Sequence, residues 1–215
     1  MVRQQQVALS EPAEWLGDWH PLAEQLGSTD GLVALGSVSS LLRLRPVQDA
    51  DSLQSFLREY QKHILIPLEL PAIHSAWSFT NRHALRELVA LDQQLSDAPM
   101  LADFAAASCR VGQYQLQKLR PLRDDRMVQR FLHAVETGEA RAWHTLVYGL
   151  TLAVYSLPLR QGLLGYAHQT IRGFIYSAAR SLQLSEHDCR EVFDESCGDI
   201  PVAIEALLSA NSATP

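Results

Sequence analysis

An all-α fold follows from three features of this 215-residue sequence. Apolar residues recur every three or four positions through most of its length, the spacing of one buried helix face. The only stretch with strand character, residues 65–70, contains Pro67 and adjoins Pro71, neither of which can donate to a ladder. No repeat, low-complexity block or long linker divides the chain, and its length suits one domain. The expectation is a single-domain bundle of about eight to ten helices over residues 1–215, with short flexible ends near 1–8 and 209–215.

The elements follow in order. Leu53, Phe56, Leu57, Tyr60 and Ile64 form one amphipathic stripe, with Asp49 or Asp51 available to cap it. Pro67 and Pro71 should stop or kink this helix, leaving a shorter one over 73–79. Leu85, Leu88, Leu91 and Leu95 carry the next stripe, ending before Pro99. Ala105, Ser108, Gly112, Leu116 and Leu119 trace another, with small residues at its middle. A short helix over 124–136 should stop at Gly138, and residues 143–156 are apolar enough to be buried on most sides. Pro158 opens the next helix, where Leu164, Ala167, Ile171, Phe174, Ala178 and Leu182 should be buried together. Ser185 then starts a helix as N-cap, with Glu186 and Asp188 in its first turn.

With 47% hydrophobic and 20% charged residues, the chain can bury one core. Its formal charge of −6 argues against a nucleic-acid partner, since phosphate binding wants a basic surface. Residues 145–159 are too few to span a bilayer, and no signal-peptide pattern opens the sequence. Three cysteines without a CxxC suit a reducing compartment, so the cytoplasm is expected.

Catalytic motifs are missing. The eight histidines make no HExxH and no zinc-finger spacing with cysteine. His187, Asp188 and Cys189 come closest, but His187 and Cys189 point to different helix faces. Asp124 and Asp125 lack the second acidic motif of the helical prenyl-diphosphate enzymes and read as a solvated helix start. Cys109 reads as a small core residue. We therefore expect no catalytic, cofactor-binding or metal-ligating residue. One charge feature stands apart: Arg110, Lys118, Arg120, Arg123, Arg126 and Arg130 are opposed only by Asp124 and Asp125. Arg123, Arg126 and Arg130 share a helix face by spacing and are candidate docking residues for an acidic partner.

The ordered run Leu91-Asp92-Gln93-Gln94-Leu95-Ser96, then Ala107-Ser108-Cys109-Arg110-Val111-Gly112, with Leu116 and Leu119 beyond, resembles the UreF family of urease accessory proteins. His144-Thr145-Leu146-Val147-Tyr148-Gly149 is similar to that family's HxPVVxG, and Gly165-Tyr166 with Ser177-Ala178-Ala179 to its later tyrosine and SAA motifs. Gly112, Leu116, Leu119, His144, Gly149 and Tyr166 are the positions this resemblance marks for helix packing. Residues 22–36 align without a gap on the family's LxDSxxPTGxFxHSxG, but with Ser28, Ala34 and Leu35 in place of its proline, histidine and serine. Its HExxxxRLFxS ending is replaced by 204–208 and a polar tail.

The resemblance implies a helical homodimer without a cofactor, acting with UreD (also called UreH) and the GTPase UreG. Together they deliver nickel into the urease apoprotein; nickel and GTP enter only through the partners. Contact with UreD, which involves the family's C-terminal end, is expected to fail more readily than dimerisation. Two alternatives stand beside it. One is a small helical enzyme of haem-oxygenase or thiaminase-like build, using His20 as axial ligand or Cys109 as nucleophile. The other is a helical partner-binding protein unrelated to urease.

Overall fold

The computed structural model describes residue 44 and residues 46–212. Expectations that fall on residues 1–43, including the 22–36 segment and His20, lie outside the described residues. Among the described residues every regular element is helical.

The first rod begins as α1, Ala50–Tyr60, opened by a reciprocal capping box in which Asp49 accepts from the Ser52 N–H. Leu53, Phe56, Leu57 and Tyr60 are its buried stripe, as the spacing predicts. The prolines do not stop it. The chain runs on through a wide π-helical segment, Gln61–Glu69, into α2, Leu70–Asn81. A proline removes one N–H and crowds the carbonyl four residues back. Widening the turns to five-residue bonding, as in the Leu70 N–H to Leu65 carbonyl bond, accommodates Pro67 without a break. Pro71 follows at the second position of α2, directly after this widened segment.

The remaining elements are α3 (Leu85–Asp97), a single 3-10 turn (Pro99–Leu101), α4 (Ala102–Lys118), α5 (Arg126–Glu136), α6 (His144–Val154), α7 (Leu159–Leu182), α8 (Glu186–Cys197) and α9 (Ile200–Ser212). α1 and α2 make one uninterrupted rod, and α8 and α9 are separated only by two residues. Counted as rods, the described residues hold seven, slightly below the eight to ten expected. Asp125 caps α5 by accepting from the Val128 N–H, and Gly138 follows its end at φ +82°. Ser185 and Asp188 make the capping box that opens α8.

Two inner helices organise the bundle. α6 lies against α2 and α4, and is buried over nearly its whole length. α7 is covered by α8 and α9, with α1 and α2 also touching it. Because neighbours flank it on more than one side, its buried face is wider than one stripe. Ala167, Ile171, Phe174 and Ala178 are fully buried, joined by Leu163 and Tyr166, whereas Leu164 and Leu182 only edge the core. Phe174 meets the rings of Phe56 and Tyr60 edge-on, at centroid distances of 5.1 and 4.8 Å.

Gly149 permits a close helix crossing. A Cβ there would lie 2.4 Å from the Ile73 carbonyl oxygen and 2.9 Å from the Ala76 methyl. Only a glycine lets α6 approach the α2 backbone this closely.

Candidate functional site

The connection from α5 into α6 is irregular, and polar side chains from two other helices hold it. Asp92 on α3 is fully buried and accepts the Arg141 N–H at 2.6 Å and the Trp143 N–H at 3.1 Å. A third bond comes from the Ala142 N–H. Burial pushes the Asp92 carboxyl above its ordinary range, and these three donors oppose that shift. The carboxylate also sits at the start of α6, where the helix dipole favours negative charge. Ser96 accepts the Trp143 indole N–H at 2.9 Å, and Ser108 on α4 accepts the His144 N–H at 3.1 Å. Gln93 and Gln113 donate to the Glu139 and Arg141 carbonyls.

Gly112 completes this arrangement. A Cβ on it would stand 1.9 Å from the Ala142 oxygen and 2.9 Å from the His144 nitrogen. The loop therefore lies directly on the α4 backbone, with Ala142 held at φ +60°. Leu116 and Leu119 continue that face of the α4 region into the core.

A polar cluster lies deeper. Glu69, at the end of the π-helical segment, accepts the Tyr60 hydroxyl at 2.9 Å and is bonded by Tyr166 as well. Burial raises its carboxyl to about 7, the two tyrosine bonds pulling the other way. The Tyr166 ring lies 5.8 Å from the His144 imidazole and 5.2 Å from the Tyr148 ring. Burial lowers His144 to about 3, so its imidazole is neutral at physiological pH. Tyr148 donates to the Gly162 carbonyl at 3.0 Å, tying α6 to α7.

Reactive chemistry is poorly supplied. Burial lifts the Cys109 thiol to about 11, which opposes its use as a nucleophile. His187 is exposed at its helix start, and its ring nitrogen faces Glu191 at 3.7 Å. Among the described residues, no three His, Cys, Asp or Glu side chains are grouped to hold a metal ion.

The basic cluster lies at the surface. Arg126 and Arg130 are exposed on α5, one turn apart. Arg123 is exposed too, but it stands in the turn before Asp125 and not on the helix. The shared face expected from spacing thus applies to two of the three, because the helix starts later than residue 124. Arg120 pairs with Glu136 and bonds to Gln117, linking the ends of α4 and α5. Gln129 donates to the Arg120 and Leu122 carbonyls and fixes this corner.

The sequence shows Asp92 only as one residue of a family motif, with no role attached, and does not mark Glu69 at all. Asp92 carried a signal: with Leu88 and Leu95 it falls on a buried face, where an unpaired acid has no place. Glu69 was hidden by the neighbouring prolines, which concealed the helical register.

Among family models, the one described as UreF matches residues 47–195, well over half of the chain. The match takes in α1 to α7 and most of α8, with the pinned loop near its middle. No curated protein matches the sequence. An all-helical bundle, the ordered motifs around Asp92, Gly112 and Gly149, and this match lead to one conclusion: the chain belongs to the UreF family of urease accessory proteins.

Proposed function

We propose that this chain is a non-catalytic adaptor of urease maturation. It recruits and regulates a UreG-type GTPase together with UreD/UreH, so that nickel is incorporated into apo-urease. It works as a cytoplasmic homodimer without a cofactor of its own; nickel and GTP belong to its partners.

The observation that carries this reading is the family match over residues 47–195. Two structural features support it. The motif residues Asp92, Ser108, Gly112 and Gly149 hold backbone and close helix crossings, the work of a scaffold and not of a reaction centre. The exposed arginines at the α4–α5 corner supply a charged surface on an otherwise acidic chain, suited to steering an acidic partner.

Co-purification with the GTPase, with and without UreD, at two salt concentrations tests the proposal. The native chain should form a complex and show no turnover. Reversing Arg123, Arg126 and Arg130 to Glu should weaken it more at low salt, because exposed charges are screened over about 8–10 Å at physiological ionic strength. No complex under any condition, together with haem binding or measurable turnover, would overturn the adaptor. A complex indifferent to the reversals would keep the adaptor and remove the arginines from its docking surface.

A further inference from the structure

The outer face of α4 carries an aromatic side chain that folding leaves in water. Tyr114 is 58% exposed, the Lys118 ammonium lying 4.4 Å from its ring centroid. Arg110 is exposed one turn earlier on the same face. The pinned loop sets a further cation beside the adjoining face of α4, that of Cys109 and Gln113. Gln113 binds the Arg141 carbonyl at 3.1 Å, which brings exposed Arg141 alongside α4 from 28 residues away in sequence. Its charge reaches inward to Asp92 and Cys109. Among the described residues, Arg110 and Lys118 make no ion pair, unlike neighbouring Arg120, which Glu136 engages.

We propose that this face of α4, with Tyr114 as anchor and Arg110 and Lys118 one turn to either side, docks an acidic segment of a partner protein. The proposal rests on the adaptor reading and deepens it. Tyrosine and arginine are the residue types that most often anchor protein interfaces. Cations without carboxylate partners favour an acidic visitor and set its register. A nucleic acid suits the face less well. Residues 110–130 hold six Lys/Arg and two Asp, a local +4, so the formal charge of −6 leaves −10 on the rest of the chain. A long polyanion meets that repulsion, whereas a short acidic segment touches only the face. The face is continuous with the α4–α5 corner through the Gln117, Arg120 and Glu136 contacts.

The test uses the full chain with Tyr114→Ala, Tyr114→Phe and Arg110→Glu, each checked for unchanged helicity and thermal midpoint. Labelled short polyglutamate and an RNA oligomer are the probes, beside co-purification with the GTPase and UreD. Polyglutamate should bind the native chain, and Tyr114→Ala and Arg110→Glu should each weaken it by about tenfold, the effect of one interface anchor. Tyr114→Phe should retain binding, because the ring and not the hydroxyl makes the contact. The same two weakening variants should reduce partner complex formation. Polyglutamate binding that is missing, or equal in all variants, overturns the docking face while a surviving GTPase complex keeps the adaptor. Binding lost in the variants, with no GTPase complex in any form, keeps the face and removes the adaptor. Tighter binding of RNA than of polyglutamate overturns the choice of a protein partner.

Discussion

At the scale of single residues, Asp92 and Gly112 have complementary duties. One supplies acceptors for a loop whose N–H groups have no helical partner; the other makes room for that loop's backbone. Asp92→Ala leaves at least the Arg141 and Trp143 N–H groups without their acceptor. Each unsatisfied buried group costs roughly 1–3 kcal/mol, so we expect a loss of about 3 kcal/mol or more in chemical denaturation. A loss below about 1 kcal/mol would show that the loop does not depend on Asp92. Gly112→Ala should destabilise by about 2 kcal/mol or more, because a Cβ at 1.9 Å from a carbonyl oxygen forces backbone to move. An unchanged midpoint would mean that the loop lifts off α4 freely.

Glu69 and His144 make opposite contributions to pH dependence. Glu69 rises from 4.5 to about 7 on folding, so its contribution is full below pH 4.5 and is lost as pH rises through 7. His144 falls from 6.5 to about 3, so its contribution is full above pH 6.5 and is lost as pH falls through 3. Between about pH 4.5 and 6.5 the two slopes, each at most about 1.4 kcal/mol per pH unit, largely cancel. Glu69→Gln should expose the histidine's slope, with stability falling as pH drops from 6.5 to 5. Denaturation curves for the variant that stay as flat as the native protein's would contradict this pairing.

At the scale of elements, periodicity located most helices, and the failures have physical causes. α7 was readable because Ala167, Ile171, Phe174 and Ala178 keep helical spacing across its length. Its edges were not readable, because Leu163 and Tyr166 are buried by neighbours that one helix's pattern cannot report. Prolines misled where a widened helix absorbs them, since Pro67 breaks only regular four-residue bonding. Phe174→Ala tests the readable part. It removes a ring packed on Phe56 and Tyr60 and should destabilise by about 3–5 kcal/mol. An unaltered urea midpoint would place Phe174 outside the core.

At the scale of the whole molecule, the site was half legible. The basic residues near the α4–α5 corner were visible as a cluster in sequence, whereas the position of Arg141 beside Gln113 follows only from the folded loop. The motif residues were visible through the family resemblance, while their work became clear only from the contacts of Asp92, Ser108 and Gly112. The proposed adaptor role leaves the chemistry to its partners. The most direct measurement is activation of apo-urease reconstituted with nickel, GTP, the GTPase and UreD, with and without this chain. We expect activation to depend on the chain, and the chain alone to bind no stoichiometric nickel. Equal activation in its absence would contradict the accessory role.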